Sequence, residues 1–149
     1  MNQMATEASC IFCKIIKNEI PSFKLIETET VYSFLDIQPT TTGHLLVVPK
    51  YHGAKLHNIP DAYLKDILPV TKKLARTLGL DVDSPQGDGY NVLQNNGRIA
   101  HQEVDHVHFH LIPKCDSVTG LGVGWPAKQA EMKDLAALHE ELVRKLDDK

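Results

Sequence analysis

The chain has 149 residues, of which 42% are hydrophobic and 23% charged, with a formal net charge of -3 and a pI near 6.2. That is the length and balance of one soluble domain able to bury its own core, and it lacks the basic field that would hold DNA or RNA. No run approaches the ~20 apolar residues of a membrane helix, and the polar start lacks the apolar core of a signal peptide. The expected location is therefore the cytosol or nucleus, with no nucleic-acid and no membrane partner.

Residues 1–9 are polar and without period, and are expected to be disordered, leaving residues 10–149 as a single domain. From Cys10 onward Ile11, Phe12, Ile15 and Ile16 recur at helical spacing until Pro21, which predicts a short helix. Residues 23–27 and 31–37 read as strands joined tightly at Glu29-Thr30. In the second, Tyr32, Phe34 and Asp36 share a face, so an aromatic row ends in a carboxylate that suits a pocket wall or a turn cap. After a turn at 39–43, residues 44–48 are apolar on both faces, as in a central strand, with Pro49 as the stop.

A second helix is expected from Pro60 and Asp61, with Leu64, Ile67, Leu68, Leu74, Ala75 and Leu78 as its buried stripe and Pro69 kinking or splitting it. A solvated loop at 81–89 precedes a strand at 90–95. The link that follows holds one glycine, so it is no Walker-type phosphate loop. Met132, Leu135, Leu138, His139, Leu142, Val143 and Leu146 make the stripe of a C-terminal helix. The order helix, three strands, helix, two strands, helix is α+β, with connections mostly too short for parallel crossovers.

Two clusters carry chemistry. His106-Val107-His108-Phe109-His110-Leu111-Ile112 reads as a strand with three imidazoles on one face and Val107, Phe109 and Leu111 on the other. Imidazole is a nucleophile, general base, phosphate donor and metal ligand near neutral pH, so a row of three marks a site. Cys10 and Cys13, in a chain with three cysteines and no secretory signal, read as reduced thiols or as half of a zinc site. His57 and His139 have no motif around them and read as surface residues, and Trp125 as a packing or dimer contact.

The 106–112 run resembles the signature of the histidine-triad superfamily. The likeness continues through Ile11-Phe12-Cys13-Lys14-Ile15-Ile16, Phe34-Leu35-Asp36-Ile37, Gly43-His44-Leu45-Leu46-Val47-Val48-Pro49-Lys50 and Gly124-Trp125-Pro126, spanning residues 10–126. The order of these elements is similar to the Hint branch, the histidine-triad nucleotide-binding proteins. That resemblance implies a five-stranded antiparallel sheet with helices, a homodimer, and a site for a purine nucleoside monophosphate and its phosphoramidates. The implied activity is hydrolysis of the P–N bond of adenosine or guanosine 5'-phosphoramidates through a nucleotidyl-histidine, with no cofactor required for the chemistry.

Carried onto this chain, the resemblance makes His108 the nucleophile and His110, His106 and His44 a relay that fixes its tautomer and moves protons. Asn95, Gln102 and Glu103 would face the phosphate, the last two through backbone N–H groups. Asp36 would hold the ribose, and Ile11, Phe12, Ile15, Ile20, Phe34 and Ile37 the base, although the isoleucines at 11, 15 and 20 suit a core equally well. One departure is that better-known Hint proteins carry Gly-Gln-Ser where this chain has His101-Gln102-Glu103. Some microbial members complete a structural zinc site with residues matching His52 and His106 beside Cys10 and Cys13, which would make His106 structural. The rival readings are a dinucleoside polyphosphate or adenylyl sulfate hydrolase or transferase of the same superfamily, a nucleotide- or zinc-binding regulatory module with incidental activity, and a zinc hydrolase using the whole triad as ligands.

Overall fold

The computed structural model describes residues 6–82 and 89–148. Residues 1–5 of the expected disordered start and 83–88 of the expected loop lie outside that range. The elements in chain order are α1 (Ile11–Ile16), β1 (Lys24–Glu27), β2 (Val31–Leu35), β3 (Leu45–Pro49), α2 (Asp61–Leu64), α3 (Ile67–Thr77), β4 (Gly89–Gln94), β5 (Phe109–Lys114) and α4 (Met132–Asp147), with short 3-10 turns at Leu56–Asn58 and Arg98–Ala100. The strands form one antiparallel sheet in the order β1-β2-β3-β5-β4.

Period-two alternation sends the side chains of β2 and β3 to two different cores. On one face Tyr32, Phe34, Leu46 and Val48 pack with Phe12, Cys13 and Ile15 of α1. On the other, Val31, Leu45, Val47 and Leu111 pack with Ile67, Val70, Leu74 and Ala75 of α3. β3 lies between β2 and β5 and is buried at every position, as its two-sided apolar sequence requires. Pairing of β1 with β2 is irregular, and the buried Ser33 hydroxyl repairs it by accepting the Ile26 N–H (2.8 Å) and donating to the Ile26 carbonyl (2.9 Å).

Several boundaries differ from the sequence expectation for identifiable reasons. Ala8 and Ser9 form a turn, with the Glu7 carbonyl accepting the Cys10 N–H at 3.0 Å. Pro49 is the last residue of β3, opposite Val31, and does not precede its stop. The second helix is split as Pro69 suggested, but the break falls at Lys65-Asp66, placing Pro69 in the first turn of α3, where no N–H donor is needed. The split rephases the stripe, leaving Leu68 exposed and burying Val70 and Thr71.

Most consequential for the site, the triad is not one strand. β5 begins at Phe109, so only His110 is in the ladder, while His106 and His108 lie on the bent approach to it, where the Val107 N–H donates to the Gly53 carbonyl (2.9 Å). α4 forms where expected, but no described residue covers its stripe, and Met132, Leu138, Leu142 and Leu146 are all exposed. No helix among the described residues is long and apolar enough to cross a membrane.

Candidate active site

His106 and His108 are buried, and His110 is half-buried where β5 pairs with β3, opposite Leu46. Phe12 of α1 sets its ring edge-to-face on both His106 (5.9 Å between centroids) and His108 (5.1 Å), and His108 stands against His110 at 4.9 Å. The face carrying the triad is therefore the α1 side of the sheet.

Main-chain groups determine which nitrogen of each ring carries the proton. A carbonyl can only accept, so the His108 Nδ1 donates to the His106 carbonyl (2.7 Å) and its Nε2 keeps the lone pair. Likewise the His106 Nε2 donates to the Pro49 carbonyl (2.8 Å), turning its Nδ1 lone pair toward α1. An amide can only donate, so the Thr40 N–H fills the His44 Nδ1 (3.1 Å) and puts the His44 proton on Nε2. That proton is given to the His110 Nδ1 (2.9 Å), leaving His110 with an Nε2–H. Asp36, His44 and His110 lie close enough to suggest a metal group. The Thr40 amide argues against one, because it leaves His44 no second lone pair.

Asp36 follows β2, with one oxygen accepting the Gln38 N–H (2.8 Å) and the other 3.5 Å from the His44 Nε2. It is thus a turn cap that also faces the His44–His110 pair. Phe12, Ile15 and Phe34 belong to the α1-side core, Ile20 is half-buried against it, and Ile11 and Ile37 are exposed. The loop at 97–105 differs from expectation. The Gln102 N–H is spent on the Gly97 carbonyl (3.0 Å), and its buried side chain accepts the Gly97 N–H and donates to the Ala54 and Val104 carbonyls. Gln102 therefore shapes the loop and has no backbone donor to offer a phosphate. The Glu103 side chain is exposed, which keeps a carboxylate away from an anion, and its N–H has no acceptor among the described residues. Asn95 uses one amide proton on the His101 carbonyl (3.3 Å).

Three contributors were missed from sequence. The Thr40 amide and Pro49 carbonyl act through the main chain, which no side-chain motif reveals. Arg98 donates to the Gln102 and Glu103 carbonyls and lies 3.4 Å from Asp105, and a lone cation in the linking loop was the signal for it.

The HIT domain family matches residues 17–117. A Candida albicans protein named adenosine 5'-monophosphoramidase HNT1 is 69% identical over 144 residues, covering 96% of this chain and 95% of that one. The chain belongs to the HIT family. A Saccharomyces cerevisiae HIT protein of the same name is 63% identical over 141 residues, covering 95% of this chain and 85% of its own. The crystal structure of histidine triad nucleotide-binding protein from Candida albicans, at 69% identity, superposes with a TM-score of 0.91 and covers 94% of this chain and 99% of that one. The five-stranded antiparallel α+β architecture is thus the HIT fold.

Beside the HIT triad lies a second convergence. The His106 Nδ1 is 3.4 Å from the Cys10 Sγ, 3.6 Å from the Cys13 Sγ and 3.2 Å from the His52 Nδ1, which is itself 3.4 Å from the Cys13 Sγ. These four donors could hold a metal ion. Burial pushes the Cys13 thiol pKa up, a shift that a cation bound there would reverse.

Burial also keeps the triad neutral. It pulls His106 and His110 down to about 4 each, with neighbouring imidazoles adding to the effect and, for His110, Asp36 opposing it, and it lowers His108 and His44 in the same direction. For His110 the folded state binds fewer protons than the unfolded one between the ordinary histidine range and about 4. Its contribution to stability is therefore whole above about pH 6.5 and is lost as the pH falls toward 4. Urea midpoints measured from pH 7.5 to 4.5 are expected to drop more steeply for wild type than for His110→Asn, the two curves converging at acid pH.

Proposed function

We propose that this protein is an adenosine 5'-monophosphoramidase, cleaving the P–N bond of purine nucleoside 5'-phosphoramidates through a nucleotidyl-His108 intermediate. The observation that carries the reading is the His108 Nδ1–H bond to the His106 carbonyl, which leaves a neutral ring with its Nε2 lone pair free. The names of the Candida and Saccharomyces relatives favour a phosphoramidase over a dinucleoside polyphosphate hydrolase.

In the first step the His108 Nε2 bonds to phosphorus and the bond to the leaving nitrogen breaks. The amine departs with one proton, given by the His110 Nε2 of a His44–His110 pair that takes up a proton together with the anionic substrate, so the pair returns to its neutral state. Positive charge on the nucleotidylated ring offsets the proton lost from the His44–His110 pair. In the second step water attacks phosphorus, His108 leaves with its Nδ1–H unchanged, and water's proton returns to the pair. Asp36 supplies acceptors for ribose hydroxyls, Phe12 and Phe34 an apolar wall for the base, and Asn95 and the Glu103 N–H donors for the phosphate.

Zinc is the metal that the Cys10, Cys13, His52 and His106 donors fit. A tetrahedral zinc with ordinary bond lengths sets N···S edges of about 3.5 Å and an N···N edge of about 3.3 Å, against 3.4, 3.4, 3.6 and 3.2 Å here. The ion would anchor α1, and with it Phe12, to the ring whose carbonyl orients His108, a structural role outside the chemistry. A homodimer is supported by β4, a sheet edge with Tyr90 and Val92 exposed, beside the exposed Leu68 of α3.

Incubation with adenosine 5'-phosphoramidate and a rapid non-acidic quench should give an adenylate adduct by intact mass in wild type and none in His108→Ala, whose kcat/KM should fall at least ~10⁴-fold. Turnover without any adduct in repeated rapid-mixing experiments would count against the covalent route. Cys13→Ser should reduce metal content by elemental analysis from about one zinc per chain toward zero and lower the unfolding midpoint. Val92→Lys should shift sedimentation from dimer to monomer, and an unchanged profile would remove β4 from the interface.

A further inference from the structure

His101 differs from every other imidazole around the site. His44, His52, His106, His108 and His110 each have a ring nitrogen in a hydrogen bond, whereas the exposed His101 ring makes none among the described residues. Its backbone is the opposite case. It is held left-handed, φ 69° and ψ 26°, by its N–H on the Arg98 carbonyl (2.9 Å) and its own carbonyl on the Asn95 amide (3.3 Å). Asn18 is the other non-glycine residue with positive φ among those described, and asparagine and histidine are both among the side chains that tolerate that region. An exposed ring carried on a backbone that hydrogen bonds hold on both sides, and left without an internal partner, is available to something outside the chain.

Strand order says what that is. The residues suited to base and ribose, Phe12, Phe34 and Asp36, stand on α1 and at the end of β2, two strands away from β5 on one side. The chain leaving β4 at Asn95 brings His101 to the other side of His110, since Leu93 pairs with His110 and Gln94 with Phe109. Nearness to His110 also shows electrostatically, because a charge on His101 helps hold the His110 pKa down. A nucleotide lying from β2 toward β5, with its phosphorus at His108, directs its leaving group toward His101.

We infer that His101 is a specificity-determining residue that contacts the leaving amine and favours amines bearing a carboxylate. A ring N–H with no internal acceptor gains most from an acceptor that also carries negative charge. The inference rests on the phosphoramidase reading above. The test compares wild type with His101→Gly on three adenosine 5'-phosphoramidates, whose leaving groups are ammonia, a neutral alkylamine and an amine of the same length ending in a carboxylate. Wild type should prefer the carboxylate over the alkylamine by about tenfold in kcat/KM, and the variant's ratio should fall toward one. Glycine suits the left-handed backbone, so the urea midpoint should not drop. An equal ratio in the two proteins, or a uniform loss on all three substrates, would overturn the inference. Failure of wild type to cleave any of them would instead overturn the phosphoramidase reading.

Discussion

A neutral imidazole has one nitrogen that donates and one that accepts, and in a dry interior each needs a suitable partner. Here the deciding partners are peptide groups: the carbonyls of His106 and Pro49 and the amide of Thr40. Side chains alone could leave each ring free to exchange tautomers. The path of the backbone removes that freedom, so the protonation pattern of the site is a property of the fold. Burial completes the arrangement by making the charged form of each ring unfavourable.

That arrangement needs a sheet covered on both faces. The α3 side is an ordinary aliphatic core and carries no chemistry. The α1 side mixes aromatic rings with the imidazoles, and one residue, Phe12, touches both the ring next to the thiol cluster and the ring proposed as nucleophile. Anchoring α1 is therefore inseparable from placing the triad. Cys10 joins the two locally, since its sulfur accepts the Cys13 N–H at the start of α1 and also faces the His106 Nδ1.

Much of this was legible in the sequence because it rests on period-two alternation. His44, Leu46 and Val48 against Leu45 and Val47, and His108 and His110 against Phe109 and Leu111, follow directly from strand geometry. Alternation does not say where a ladder begins. His106 and His108 keep the alternate facing but leave the ladder, because the approach to β5 bonds to Gly53 and not to a neighbouring strand. Leu68 was misplaced because a two-residue break between α2 and α3 rotates the stripe, and periodicity carries no phase across a break. Gln102 could not be read at all, since which atoms a buried amide satisfies depends on residues such as Ala54, far away in sequence.

α4 shows a different boundary of single-chain reasoning. Its sixteen residues are amphipathic, yet none is buried among the described residues. A species that covers such a helix binds the folded state and not the unfolded one. Where such a species is present, the stability of this protein depends on that species' concentration as well as on temperature. A dilute assay and a crowded cell would report different midpoints for the same sequence.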